Sequence, residues 1–201
     1  MIEAIGRSAH VGRDFAQGVS AINALASAVE RASHWADPNP KPPHGLILNV
    51  GVIRGGTATN VVPDHARAWG NIRFFDQQTA AHTIARLETL RTAPGSLPEV
   101  RVFHTLNRPA KPSTPMTLHL AEWARSAAED LGQKLPFGKT GGVCEGNNLQ
   151  AVGLPTIDTL GVRGGGLHTK TEWIELDSLV ERCQLLAVLI SRLAGLSSPA
   201  S

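Results

Sequence analysis

Residues 46–75 read LILNVGVIRGGTATNVVPDHARAWGNIRFF. The two apolar runs in this segment, 46–53 and 66–75, are rich in β-branched and aromatic residues and are typical of strands. Between them, residues 55–60 form a polar, glycine-rich stretch that is typical of a flexible turn. The segment therefore predicts two strands joined by a turn.

Regular patterns continue on both sides of this segment. Residues 2–7 alternate apolar and polar side chains and predict a strand, and residues 18–31 place apolar side chains at helical spacing. Asp76 is the predicted N-cap of a helix that reaches Arg91, and residues 100–106 predict a fourth strand. The order is strand, helix, strand, strand, helix, strand.

That order matches the split βαβ plan of a ferredoxin-like βαββαβ domain, which we place at residues 1–112. Residues 113–201 follow a different rhythm that predicts an αβαβα, layered α/β segment. The predicted elements of this segment are a helix 115–131, a short strand, a loop 138–148, a strand 155–160, a glycine loop 161–168 and a final helix. The final helix places Leu176, Leu179, Val180, Cys183 and Ala187 on one face.

The second segment is predicted to be incomplete. Parallel sheets buried on both faces usually have about five or six strands, and only about two are predicted here. We therefore expect the remaining strands to come from an upstream part of the polypeptide or from another chain. The start of the chain inside an apparent strand, at residues 1–5, also suggests an upstream part.

Composition excludes several classes of function. The 201 residues carry a formal charge of only +2 and no Tyr, so they offer neither a basic stripe nor stacking aromatics for nucleic acid. No apolar run approaches the ~20 residues needed to cross a bilayer, and residues 1–5 do not form a signal peptide. Two cysteines give no disulfide framework. No nucleic-acid or membrane partner is expected, and a cytoplasmic location is favoured.

Glycine loops and histidines are the first candidates for a site. Residues 138–140 lack the upstream glycine of a phosphate-binding loop, and residues 164–166 lack the spacing of a dinucleotide loop. The second loop is either simply flexible or passes close to a ligand, with His168 at its end. Since ligands of layered α/β sheets lie beyond the carboxyl ends of strands, this position favours a functional His168. His10 follows the first strand, where a turn or capping role is the alternative.

Arg73 is a candidate for binding a carboxylate. Strand alternation puts it on the face opposite Ile72 and Phe74. It is either an ordinary solvated arginine or a planar guanidinium that binds a substrate carboxylate through two parallel hydrogen bonds. Asn60 could add an amide donor, although Asn is also common in turns for backbone reasons.

Five segments occur in the order seen in the di-zinc exopeptidases and amidohydrolases of aminoacylase and glutamate carboxypeptidase type. They are RSAHVG at 7–12, TNVVP at 59–63, NIR at 71–73, TGG at 140–142 and GGGLHT at 164–169. The chain resembles this family from residue 1 to about 195, and it is most similar to the carboxypeptidases that release glutamate (carboxypeptidase G-like).

The resemblance implies a ferredoxin-like lid domain that mediates homodimerisation, followed by the closing part of a catalytic domain. It implies that His168 is a zinc ligand and that Arg73 and Asn60 hold the carboxylate of a small-molecule substrate. His10 would reach the neighbouring subunit's active site and stabilise the oxyanion of the tetrahedral intermediate. Gly141, Gly142 and Arg108 would line the substrate site.

The sequence also departs from the family. The 201 residues contain no HxD motif and no adjacent Glu pair, which carry most ligands of the two zinc ions and the general base in the family. Glu145 stands where relatives usually have Asp. We therefore expect this chain alone to be an inactive part of a zinc-dependent amide hydrolase.

Two other functions are open. The chain could be a dimerisation or interaction module from a truncated or split enzyme. It could also be a cysteine hydrolase that uses Cys144 with His168, because a thiolate beside an imidazole is a competent nucleophile.

Overall fold

The computed structural model describes residues 1–41 and 44–196, which divide into two compact units. The first unit comprises residues 1–110 together with 140–142, and the second comprises residues 111–139 and those that follow 142. The loop 140–142 therefore groups with the first unit, although residues 111–139 separate it from the rest of that unit in sequence. No helix in the described residues is both long enough and apolar enough to span a membrane.

The first unit contains six strands and two α-helices. In chain order they are β1 (Ile2–Ile5), β2 (Ala9–His10), α1 (Ala21–Ser33), β3 (Leu46–Gly55), β4 (Val61–Val62), β5 (His65–Phe74), α2 (Gln77–Glu88) and β6 (Glu99–Val102). The longer elements follow the predicted order, strand, helix, strand, strand, helix, strand. The short strands β2 and β4 were not predicted: β2 lies in the turn expected after the first strand, and β4 follows the predicted turn 55–60.

Four strands form one antiparallel sheet in the order β3-β5-β1-β6. One face of the sheet packs against α1 through Ala4, Ala66, Leu25 and Ala28, all of which are buried. The small alanines let the helix approach the strands closely. β3 is an edge strand, and Val52 and Ile53 near its end are 45% and 59% exposed.

Both helices of the first unit begin at a side-chain cap. The Ser20 hydroxyl accepts a hydrogen bond from the backbone N–H of Asn23 at the start of α1. The Asp76 carboxylate accepts from the N–H of Thr79 at 2.8 Å, so the predicted N-cap of α2 is confirmed. This bond first of all, and further bonds from the Thr79 hydroxyl and His44, lower the pKa of Asp76 to about 2.

A charged cluster lies on the opposite face of the sheet. The Glu3 carboxylate is only 8% exposed and accepts hydrogen bonds from His65 at 2.9 Å and Arg67 at 2.8 Å. A nitrogen of Arg101 lies 3.8 Å from the other carboxylate oxygen. The bonds from His65 and Arg67 hold the pKa of Glu3 below its ordinary value, although burial acts in the opposite direction.

The second unit contains three helices and one short strand pair. They are α3 (Pro115–Asp130), α4 (Glu145–Ala151), β7 (Gly164–Gly165), β8 (Trp173–Ile174) and α5 (Asp177–Leu196). Its core joins α3 to α5, with Ala124, Ala127 and Ala128 packed against Leu185 and Leu189.

Several predictions for this unit are wrong. Residues 155–160 are not a strand, and the predicted loop 138–148 contains the start of α4. The short strand predicted after α3 is also absent from the described residues. An isolated strand has unpaired backbone groups, and no backbone hydrogen bond joins 156–160 to any other described residue. The three apolar residues of this segment, Pro155, Ile157 and Leu160, therefore did not suffice to predict a strand.

The face of α5 on which the sequence analysis placed its apolar residues is also not the buried face. Leu176 is 73% and Val180 63% exposed, whereas Leu185 and Leu189 on the other side of the helix are buried against α3. The helix has apolar side chains around most of its circumference, so periodicity alone could not distinguish its faces.

Candidate active-site residues

The backbones of His10 and Asn60 lie close to each other at the short sheet of β2 and β4. In this sheet His10 pairs with Val61. The backbone N–H of Val11 donates to the carbonyl of Asn60 at 3.0 Å. The two candidate side chains thus extend from adjacent positions on neighbouring, exposed segments, 50 residues apart in sequence.

The His10 imidazole has a defined partner. Its Nδ1 accepts a hydrogen bond from the backbone N–H of Gly12 at 3.1 Å. This contact is local, because only one residue separates Gly12 from His10. It was not predicted from the sequence. The Asn60 side-chain amide has no hydrogen-bond partner among residues 1–41 and 44–196.

Arg73 lies near the end of β5, and two of its nitrogens have partners. Its Nη1 donates to the carbonyl of Gly141 at 2.9 Å, and its Nε donates to the Asn71 side-chain oxygen at 3.1 Å. The Nη2 group has no partner in the described part of the chain. Ile72 packs against the first core, so Arg73 lies on the other face of the sheet, as predicted.

Asn71 was not predicted as a site residue, although strand alternation could have identified it. Side chains at i and i+2 of a strand lie on the same face, so Asn71 had to stand beside Arg73. An amide oxygen fixes the guanidinium without adding a negative charge. The bonds to Asn71 and Gly141 therefore orient the guanidinium of Arg73.

Gly141 lies close to the side chain of Ile47. A Cβ at this position would lie 2.6 Å from Cδ1 of Ile47, a contact that a real side chain cannot make without displacing its neighbour. The N–H of Gly142 donates to the Thr140 hydroxyl at 3.1 Å, which closes the loop on itself. Arg108 is half-buried in the segment after β6. Of the predicted substrate-lining residues, Gly141 has a direct contact with Arg73.

His168 lies at the tip of a hairpin formed by β7 and β8. Gly164 pairs with Ile174 and Gly165 with Trp173. A Cβ on Gly164 would lie 2.2 Å from the carbonyl oxygen of Trp173, and one on Gly165 would lie 3.0 Å from the Trp173 ring. Gly164 is therefore required by the close approach of the hairpin's own second strand, whereas at Gly165 the Trp173 ring would have to shift slightly.

The backbone of His168 is in the left-handed region, with a φ of 64°. This conformation is uncommon for a residue other than glycine, and strained positions cluster at functional sites. The side chain is exposed and has no hydrogen-bond partner among the described residues. Both observations are compatible with a ligand role, and neither identifies the ligand.

Arg163 anchors the base of this hairpin to α5. Its guanidinium forms ion pairs with Glu175, at 2.6 Å, and with Glu181. Its backbone N–H donates to the Ser178 hydroxyl at 3.0 Å. Hydrogen bonds to Glu181 and then Glu175 raise the pKa of Arg163 above its ordinary value. These ion pairs fix the position of the hairpin relative to the start of α5.

Cys144 has a different partner from the one that a cysteine hydrolase would need. Its thiol donates to the carboxylate of Asp158 at 3.2 Å, and the Lys111 ammonium contacts the same oxygen. Burial alone would raise the pKa of Asp158, but the bonds from Lys111, Thr159 and Cys144 lower it below its ordinary value. No hydrogen bond joins Cys144 to His168 in the described structure.

The described residues do not form a metal site by themselves. No group of three or more His, Cys, Asp or Glu side chains within 1–41 and 44–196 is arranged to hold a metal ion. A protein zinc site requires at least about three protein ligands. His168 alone does not satisfy that requirement.

Comparison with known proteins identifies the relatives. Residues 1–96 match the family model described as a peptidase dimerisation domain. Carboxypeptidase G2 of Pseudomonas sp. (strain RS-16) is 26% identical over 194 residues, which cover 94% of this chain and 46% of that protein. The crystal structure of aminopeptidase PepT from Bacillus cereus ATCC 10987 has a TM-score of 0.77 at 26% identity, and the match covers 96% of this chain and 50% of PepT.

A third match shows the fold alone. It is the YXEP protein of Bacillus subtilis, a dinuclear metal-binding peptidase from the M20 family, with a TM-score of 0.62 at 17% identity over 96% of this chain and 50% of that one. The chain spans about half the length of the curated relatives it matches. Residues 1–96 thus match a peptidase dimerisation domain, and nearly the whole chain is similar to carboxypeptidase G2 and to aminopeptidase PepT.

Proposed function

We propose that this chain supplies the lid domain and the closing part of the catalytic domain of a zinc-dependent hydrolase. The enzyme cleaves an amide bond in N-acyl amino acids or peptides that carry a free carboxylate, as a glutamate carboxypeptidase does. The observation that carries the proposal is the fixed guanidinium of Arg73, which is held by Gly141 and Asn71 and keeps its Nη2 group available.

Arg73 binds the substrate carboxylate in this proposal. Two of its five N–H groups are engaged within the protein, and the Nη2 group and the second hydrogen of Nη1 form a planar donor pair. Such a pair matches the two oxygens of a carboxylate. Asn60 adds an amide donor, and Arg108, Gly141 and Gly142 line the same site.

His10 stabilises the oxyanion that forms when the amide carbonyl is attacked. A hydrogen-bond donor fixed at the position of the developing charge contributes more in the transition state than in the ground state. In this proposal the His10 of one subunit serves the active site of the other, so catalysis requires a homodimer.

The edge strand β3 is the surface on which two copies pair. It is ten residues long, and Val52 and Ile53 near its end are exposed. A long edge strand offers unpaired backbone groups to another strand, and proteins usually cover it. A second copy related by a twofold axis brings the same edge against it. The match of residues 1–96 to a dimerisation domain supports this arrangement.

His168 is one metal ligand in the assembled enzyme, and the other ligands and the general base lie outside the described residues. The described residues alone do not provide enough ligands for a zinc ion. The isolated 201-residue chain is expected to release no amino acid from N-acyl amino acids, with or without added zinc. Metal-dependent release by the pure chain would contradict this.

Titration with N-acetyl-L-glutamate, followed by NMR of the backbone amides, tests the carboxylate site. We expect shifts at Arg73 and Gly141, and we expect Arg73→Met to abolish them. Arg13→Met is the matched control, since Arg13 is exposed and its side chain has no partner among the described residues. Equal shifts in both variants would refute the assignment of Arg73.

A second candidate function is a dimerisation or interaction module from a truncated or split enzyme. The shortage of metal ligands in the described residues favours it. Zinc analysis of the purified chain tests this candidate. Tightly held zinc near one equivalent would argue against the module.

A further inference from the structure

The turn that follows β2 holds the His10 ring in a defined way. The backbone N–H of Gly12 points its hydrogen at Nδ1 of His10, with a nitrogen–nitrogen distance of 3.1 Å. The backbone N–H groups of Arg13 and Asp14 both donate to the carbonyl of His10, at 3.1 and 2.9 Å. The N–H of Val11 donates to Asn60. Each N–H from Val11 to Asp14 thus has an acceptor, and three of these four N–H groups donate to His10.

The Gly12 contact determines which ring nitrogen carries the proton. A neutral imidazole has one N–H donor and one bare nitrogen that accepts. Because Gly12 can only donate, Nδ1 must be the bare nitrogen, and the proton resides on Nε2. We propose that Gly12 is a positioning residue that presents Nε2–H of His10 as the donor to an oxyanion.

This inference rests on the proposed function, since it assigns the atom through which His10 acts there. A ring with the opposite tautomer would present a bare nitrogen at Nε2 and would repel an oxyanion. The glycine also leaves room for the ring, although it is not required by space. A Cβ at position 12 would lie 3.5 Å from Cε1 and 3.7 Å from Nδ1 of His10, which is ordinary contact.

NMR of the ¹⁵N-labelled chain at neutral pH tests the placement directly. An N–H···N hydrogen bond transmits a scalar coupling between its two nitrogens. We expect a coupling between the Gly12 amide nitrogen and Nδ1 of His10, and a ring resonance pattern with the proton on Nε2. A proton on Nδ1, or the absence of the coupling, would overturn the inference.

Two variants at position 12 separate the N–H from the shape of the residue. Gly12→Ala retains the N–H and fits the space, so we expect the coupling and the tautomer to persist. Gly12→Pro lacks the N–H, so we expect the coupling to vanish and the Nε2–H to Nδ1–H ratio to fall by roughly fivefold, the value of one ordinary hydrogen bond. An unchanged tautomer ratio in Gly12→Pro would overturn the role of Gly12. If that variant fails to fold, the wild-type and Gly12→Ala results decide alone.

A failure of this inference about His10 can be distinguished from a failure of the proposed function. The coupling is measured in the chain without substrate, metal or turnover, and so it reports only on how His10 is held. The carboxylate titration at Arg73 reports on the proposed function. A positive coupling with no carboxylate binding would leave the His10 placement standing and remove the hydrolase assignment.

Discussion

Replacement of Gly164 by alanine should destabilise the hairpin that carries His168. The new Cβ would lie 2.2 Å from the carbonyl oxygen of Trp173 and 3.2 Å from Cα of Ile174. Both contacts are with backbone atoms, which cannot rotate away as the end of a side chain can. Carbon and oxygen in van der Waals contact lie more than about 3 Å apart, so β7 and β8 would have to separate by roughly 1 Å.

The magnitude follows from that separation. Overpacking of this kind costs about 1–3 kcal/mol, and a stretched ladder hydrogen bond adds about 0.5–1.5 kcal/mol. Alanine also restricts the unfolded chain more than glycine does, which offsets about 0.4–1 kcal/mol. We expect the free energy of unfolding of the second unit to fall by about 2 kcal/mol. For a unit of this size the melting temperature should fall by roughly 10 °C.

Gly161→Ala is the matched control. No atom lies within 4 Å of a Cβ at that position, so this variant should be neutral or slightly stabilising. Urea unfolding followed by Trp fluorescence and calorimetry measures both variants. A Gly164→Ala protein within about 0.5 kcal/mol of Gly161→Ala would refute the close-approach argument, since that is the usual range of a neutral substitution.

Three further predictions concern stability and assembly. Glu3→Gln should lower the free energy of unfolding by about 1–2 kcal/mol at pH 7, because it weakens the charge-assisted bond between the buried Glu3 carboxylate and the half-exposed Arg67. Since folding depresses the pKa of Glu3, its contribution is present above its unfolded pKa and lost as pH falls, so urea unfolding should show the difference shrinking below about pH 4. Asp76→Ala should cost about 1 kcal/mol at pH 7 and Asp76→Asn less, and the wild-type contribution should fade as pH falls from about 4 towards about 2. A pH-independent difference in unfolding energy would contradict either prediction. Ile53→Lys on the edge of β3 should shift the chain from dimer to monomer in sedimentation, and an unchanged sedimentation coefficient would argue against that edge.

The order of elements in the first unit was predictable because its local signals agree. The strand segments either alternate apolar and polar residues or are rich in β-branched and aromatic ones. Asp76 caps α2, as its position before the helical pattern indicated. The ends of these helices and strands differ from the predicted ends by a few residues, because fraying and capping determine where an element ends. The short strands β2 and β4 were missed because two-residue strands carry no periodicity.

In the second unit the local signals were ambiguous. Residues 155–160 are apolar enough for a strand, but a strand exists only where another one pairs with it, and none does so among the described residues. The helix α5 was predicted correctly as a helix and with the wrong buried face. Its packing against the alanines of α3 selected the face, and no residue of α5 alone reports that choice.

The sequence by itself indicated the resemblance to di-zinc exopeptidases, the order of the elements in the first unit and the candidate residues His10, Asn60, Arg73 and His168, because these depend on residue types in a fixed order. Only the tertiary structure decided what each of them contacts. Gly12 reaches the His10 ring, the loop at Gly141 reaches Arg73 from 68 residues away, and Gly164 lies against the backbone of Trp173. Such contacts depend on distances of a few tenths of an ångström between segments that the chain brings together only when it folds.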